Sequence, residues 1–156
     1  MMQYTSEGRT TVVWDEENVG IPAIADLPYV LVVDDDPAIA SVVMLTLEME
    51  GYVGLSISDG RQVLPFLYQI EADATKHMPA VILLDLMMPG LSGYEVAALL
   101  TQHPGFASIP IIIMTADYRV RTASAVPGAT DLLSKPFPVS TLLTKLEYYL
   151  SCVPCG

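Results

Sequence analysis

Three consecutive acids, Asp34, Asp35 and Asp36, share this chain with an isolated Asp85, Thr115 and Lys135. Each type has a chemical use. Clustered carboxylates repel one another, and a hard divalent cation relieves that repulsion. Magnesium suits such a set, since it takes a few carboxylates and keeps water for phosphate oxygens. An aspartate can act as a nucleophile on phosphorus and form an acyl phosphate. A cation and a lysine point charge stabilise the equatorial oxygens of the transition state. A threonine hydroxyl can donate to one phosphoryl oxygen and so sense its presence.

The elements that would position these residues follow from the hydrophobic pattern. Apolar runs at Tyr29–Val33, Val53–Ile57, Ala80–Leu84, Ile109–Met114 and Thr130–Leu133 suit strands. The third and fourth are apolar on both faces, as central parallel strands are. Asp36 followed by Pro37 is a helix start, with Asp36 as the cap. Ile39, Val42, Val43, Thr46 and Leu47 form its expected buried face, and Gly51 marks its stop. Asp59–Gly60 opens a second helix with Val63, Phe66, Leu67 and Ile70 on one face; Pro65 should delay or kink it. Gly93 to Gln102 reads as a third helix and a weak stretch over roughly 119–126 as a fourth. Pro138 starts the last, with Val139, Leu142, Leu143, Leu146, Tyr149 and Leu150 facing inward. Strands alternating with helices in this way predict a doubly wound parallel α/β sheet with right-handed crossovers. Ligands of open α/β sheets bind at the carboxyl ends of the strands. Asp34–Asp36 follow strand one, Asp85 strand three, Thr115 strand four and Lys135 strand five, so all converge on one edge.

Four segments carry a family resemblance: VLVVDDDP at 30–37, VILLDLMMPGLSG at 81–93, IIIMTA at 111–116 and LLSKPF at 132–137. In order, spacing and strand position they resemble the receiver domain of bacterial response regulators, over about residues 29–150. The resemblance implies a flavodoxin-like (βα)5 fold with strand order 2-1-3-4-5 in a single-domain, chemotaxis-regulator-like architecture. It implies that Asp85 is the phosphoacceptor, with Mg2+ held by Asp35, by Asp34 through water, by Asp85 and by the backbone carbonyl of Met87. Thr115 is then the switch hydroxyl and Lys135 the phosphate-contacting lysine, followed by a cis Lys135–Pro136 peptide. Pro89 and Gly93 match the loop that shapes the site. The implied activity is acceptance of a phosphoryl group from a histidine kinase or phosphotransfer protein. Such a domain catalyses its own phosphorylation and dephosphorylation without turning over a separate substrate, and signals to a separate effector protein.

The sequence also departs from that family. Leu132 stands where many relatives carry an aromatic, which removes the aromatic half of the threonine-coupled switch. Val126–Pro127–Gly128 should cut the fourth helix short and give an unusual output face. The loop from Glu71 to Pro79 is longer than usual, which surface loops tolerate. Met87 and Asp117 flank the site at positions that tune phosphate lifetime in relatives. His77 and His103, both near prolines, read as surface residues.

The totals frame these readings. With 156 residues, 52% of them apolar, the chain suits one ordered domain. The expected division is an N-terminal extension over 1–28, a receiver domain over 29–151 and a tail over 152–156. The extension is expected to be flexible; the alternatives are that its β-branched run Thr10–Trp14 adds a short strand or packs on the domain, or that it is a partner-binding arm. A net charge of −11 argues against nucleic acid as a partner, since binding it needs a basic surface. No apolar stretch is long enough to span a membrane and the first residues show no secretion signal, so the expectation is a cytoplasmic protein, monomer or dimer. Cys152 and Cys155 follow a helix, where no dipole lowers a thiol pKa, and two thiols alone close no zinc site. A tail role is expected, with a redox or shared-metal role the alternative. Two other readings compete for the whole chain. A haloacid-dehalogenase-type phosphohydrolase wants an acid two residues after its nucleophile, and Met87 is there instead. A degenerate receiver would bind partners without phosphorylation.

Overall fold

In a computed structural model of the chain, residues 28–151 are described in full, together with the backbone of 2–4 and 10–13. Two short strands, β1 (Met2–Tyr4) and β2 (Thr10–Val13), come first. The five expected strands follow as β3 (Val30–Val33), β4 (Gly54–Ile57), β5 (Val81–Asp85), β6 (Ile111–Thr115) and β7 (Asp131–Ser134). All five are parallel and run β4-β3-β5-β6-β7 across the sheet, which is the order 2-1-3-4-5. The β-branched run adds itself outside them. β2 pairs parallel with β4 through Val12↔Leu55 and Val13↔Ser56, and β1 pairs antiparallel with β2. Among the described residues the sheet therefore has seven strands. Trp14, the rest of the first 27 residues and the cysteine pair lie outside the described residues.

Among the described residues four helices flank the sheet rather than five. α1 (Pro37–Met49) begins as its sequence predicts: the Asp36 carboxylate accepts from the Ala38 N–H at 2.9 Å, with proline in the first turn. Its inward face is rotated from the expected one. Ala40, Val43, Met44, Thr46 and Leu47 are buried, whereas Val42 is 56% exposed and joins Leu45 and Met49 on the outer face. Spacing of three and four residues set both stripes, and contact with the strands decided between them. Gly54 admits this packing, since a Cβ there would meet Leu47 and Met44 at 2.9 Å.

α2 (Val63–Ala72) starts late, after a 3-10 turn at Gly60–Gln62. Pro65 thereby falls in the first helical turn, where a missing N–H leaves no bond unmade. The predicted face of Val63, Phe66, Leu67 and Ile70 is buried. α3 spans Gly93–Gln102 and is capped by Ser92. The expected fourth helix is absent, and a 3-10 turn at Ala123–Ala125 takes its place. Val126, ahead of a proline, is extended at φ −118 and ψ 106. Gly128 then turns at φ +91 against α3, where a Cβ would meet the Ala97 carbonyl at 2.9 Å. The last helix, α4 (Val139–Ser151), buries only Leu142 and Leu146. Val139, expected inward, stays exposed at the helix's first position, while Tyr149 and Leu150 pack at the margin.

The two faces of the sheet make two cores. Leu31, Ile57, Ile82, Leu84 and Ile113 face α2 and α3; Val30, Val32, Leu83, Ile112 and Leu133 face α1 and α4. Leu132 packs at the edge of the first core, in the place of the absent aromatic. His103 is not a plain surface residue. Its ring stacks on Phe106 at 4.0 Å, meets Tyr68 edge-on and lies 3.5 Å from the Glu71 carboxylate. Among the described residues no helix is long and apolar enough to cross a membrane.

Candidate functional site

Strand register brings the predicted residues together. Val33 pairs with Leu84, so Asp34 and Asp85 emerge side by side as β3 and β5 reach the carboxyl edge. Thr115 pairs with Ser134, which places Lys135 one residue beyond β7 and next to Thr115. The Lys135 N–H donates to the Thr115 carbonyl at 2.7 Å, and the Lys135–Pro136 peptide that follows is cis.

The carboxylates of Asp34, Asp35 and Asp85 offer oxygens that all lie within 4.8 Å of one another. Lys135 bridges two of them. Its Nζ donates to Asp34 Oδ2 at 2.9 Å and stands 3.4 Å from Asp85 Oδ1. The other Asp34 oxygen accepts from the Asp36 N–H at 2.9 Å, so both oxygens of this buried acid have donors. Asp85 is held more loosely: the Met87 N–H reaches its Oδ1 only at 3.4 Å, beyond the usual 2.7–3.2 Å range. Asp35 is exposed, and so is the Met87 side chain at the mouth. Asp36 faces its own helix as a cap.

The electrostatics show an acidic excess. Burial and then the neighbouring Asp34 charge push the Asp85 carboxyl up to about 6, against the pull of Lys135 and the Met87 N–H. Burial alone would lower Lys135, but its bond to Asp34 and the charges of Asp85 and Asp34 outweigh that and hold it above its ordinary value. Three carboxylates against one ammonium leave a net negative charge in a partly buried site. A divalent cation neutralises that arrangement, so the donor set fits magnesium.

Two glycines shape the loop beside Asp85. Gly93 lets the start of α3 press against the end of β5, because a Cβ there would overlap the Asp85 carbonyl oxygen. The Gly93 N–H also donates to the Leu86 carbonyl at 3.0 Å. Gly90 turns at φ +80 after Pro89, a conformation that favours glycine. Thr115 is buried, and its hydroxyl accepts from the Asp117 N–H at 3.0 Å. Asp117 in turn is gripped by Arg119. That guanidinium drew no attention in the sequence, where only its Asp-x-Arg spacing, shared with Asp59–Arg61, could have marked it.

A family model for the response regulator receiver domain matches residues 30–147. The chain belongs to that family. Receivers are the phosphoacceptor switch domains of two-component systems. This receiver is 34% identical over 126 residues to the DNA-binding dual master transcriptional regulator RpaA of Synechocystis sp., a match that covers 80% of this chain and 49% of that protein. The chain thus spans about half the length of the curated relatives it matches. Among solved structures, it resembles the receiver domain of a signal transduction histidine kinase from Syntrophus aciditrophicus. That likeness has 30% identity and a TM-score of 0.70, over 83% of this chain and 95% of the other. It also resembles the response regulator protein TrrA of Thermotoga maritima in complex with Mg(2+)-BeF. There the identity is 27% and the TM-score 0.67, over 79% of this chain and 99% of the other.

Proposed function

We propose that Asp85 of this receiver accepts a phosphoryl group from a histidine kinase or phosphotransfer protein. The observation that carries the reading is the position of Lys135, whose ammonium lies between the Asp34 and Asp85 carboxylates in a cluster of three. An Asp85 oxygen attacks phosphorus, the P–N bond of a phosphohistidine breaks, and the imidazole leaves with its electron pair. Lys135 then turns from Asp85 toward the phosphoryl oxygens, as a point charge on the developing negative charge. The Thr115 hydroxyl donates to another of those oxygens. Hydrolysis reverses the load: water attacks phosphorus, Asp85 leaves as carboxylate, and phosphate departs with the proton taken up by solvent.

Asp35, Asp85 and the backbone carbonyl of Met87 would hold Mg2+. Asp34, whose oxygens already accept from Lys135 and the Asp36 N–H, would act through a water. When bound, the ion neutralises phosphoryl oxygens and lowers the repulsion met by the attacking carboxylate.

The output is a protein contact in the cytoplasm. A net charge of −11 disfavours nucleic acid as the partner, and the DNA-binding relative is matched over 49% of its length. On this reading the domain signals to an effector protein, with residues 29–151 as the switch unit.

The test is intact mass spectrometry after incubation with a small-molecule phosphodonor and magnesium. The wild type should gain one phosphoryl group; Asp85→Asn, and the wild type without magnesium, should gain none. A folded wild type that gains no mass and binds no beryllofluoride would instead point to a phosphorylation-independent binding domain.

A further inference from the structure

Asp117 is tied at both ends. Its N–H donates to Thr115 Oγ at 3.0 Å. Its carboxylate accepts from Arg119 three times: from Nε at 2.9 Å and the backbone N–H at 3.0 Å on Oδ1, and from Nη2 at 2.9 Å on Oδ2. The Asp117 carbonyl also accepts from the N–H of Val120, a buried residue, at 3.1 Å. A planar guanidinium fork fixes a carboxylate in orientation as well as distance, which a lysine cannot do.

The Thr115 hydroxyl is buried, at 1% residue exposure, so its direction is set by the groups that reach it. A hydroxyl can accept and donate at once, and its hydrogen rotates to suit. With the Asp117 N–H on one lone pair, the hydrogen is turned away from that amide and left free to donate elsewhere.

We propose that Arg119 is a positioning residue: its fork on Asp117 holds the Asp117 N–H against Thr115 Oγ and presets the hydroxyl that donates to a phosphoryl oxygen. This rests on the phosphoacceptor reading of Asp85. Arg119 acts from outside the site, with 77% of its side chain exposed.

Two measurements on the whole chain test it. The first is amide hydrogen exchange at Asp117 without donor, by NMR. Exchange should be slow in the wild type, and Arg119→Gln should raise it to the level of Thr115→Val. The second is the rate of adduct formation with a small phosphodonor. Arg119→Gln should slow it about two- to fivefold, the range expected of an exposed ion pair. Arg119→Lys should behave like Arg119→Gln, because the fork is lost with either. In a Thr115→Val background, Arg119→Gln should slow the reaction no further.

Unchanged exchange at Asp117 in Arg119→Gln would overturn the proposal. So would an equal slowing in the Thr115→Val background, which would make Arg119 a general stabiliser of the loop. A wild type that gains no phosphoryl mass would refute the Asp85 reading and the catalytic half of this one. Exchange at Asp117 would still decide whether Arg119 holds that amide.

Discussion

Replacing Asp85 by asparagine should stabilise the metal-free protein near neutral pH, although it removes the group proposed to do the chemistry. Burial and the Asp34 charge raise the Asp85 carboxyl from 3.8 to about 6. A raised acid is held in its protonated form by the fold. Its contribution is fully present below the unfolded value and is lost as pH rises through the folded one. A rise from 3.8 to about 6 corresponds to about 3 kcal/mol at 1.36 kcal/mol per pH unit. Asparagine keeps the shape and an acceptor for Lys135 without the charge. Urea unfolding in a chelator at pH 7.5 should therefore show Asp85→Asn more stable by about 1–3 kcal/mol. The gap should shrink as pH falls below about 6 and close well below 3.8, where the wild-type carboxyl is protonated whether folded or not. Magnesium should narrow the gap at pH 7.5, since a ligand of the folded state stabilises the chain that binds it. A variant no more stable than wild type at pH 7.5, or a gap that widens on acidification, would refute the view that ionised Asp85 is strained in this site.

Other expectations follow from the same geometry. Lys135→Ala should slow adduct formation on the order of 100-fold, as removal of one transition-state donor does, read by mass spectrometry against time. Gly93→Ala should destabilise by about 1–3 kcal/mol in urea melts, because its Cβ overlaps the Asp85 carbonyl and α3 must shift. Asp131 accepts from Lys145 at 2.8 Å and from the Tyr149 hydroxyl at 3.1 Å. Burial would raise its pKa, but these bonds and the Leu132 N–H outweigh that and lower it. Its contribution is thus present above the ordinary carboxylate value and lost as pH falls through the depressed one. Asp131→Asn should cost about 1 kcal/mol in urea melts at pH 7, with the difference vanishing in strong acid. Removing residues 1–13 should expose the backbone edge of β4 and promote self-association, seen by sedimentation.

Much of the site was legible because its parts are local. A strand end followed by Asp-Asp-Asp-Pro is both a helix cap and an acidic edge, and each is decided within a few residues. The alternation of strands and helices then implied a parallel sheet whose carboxyl ends share one edge, and the family resemblance supplied the strand order that brings the ends of β3, β5, β6 and β7 together. Less legible were features that depend on which neighbour lies across a gap. Val42 and Met44 fit a helical stripe equally well, and only the packing of α1 over Gly54 buried one and exposed the other. The weak helix over 119–126, expected to be cut short by Val126–Pro127–Gly128, is reduced further than that, to a 3-10 turn, with Val126 extended ahead of Pro127 and Gly128 turning against α3. Arg119 carried no motif, since a fork on the acid two residues earlier is visible only when both side chains are placed.

By itself the sequence determined the fold class, the strand order that its family resemblance implies, and the set of acids, hydroxyl and lysine at one edge. The fold class and the edge set follow from hydrophobic period and from residue types at strand ends, which need no knowledge of distant contacts; the strand order came only with the resemblance. The tertiary structure decided which oxygen of Asp34 meets Lys135, how loosely Asp85 is held, and that β2 extends the sheet beyond β4. Each of these is a pairing between groups far apart in the chain, set by register and burial.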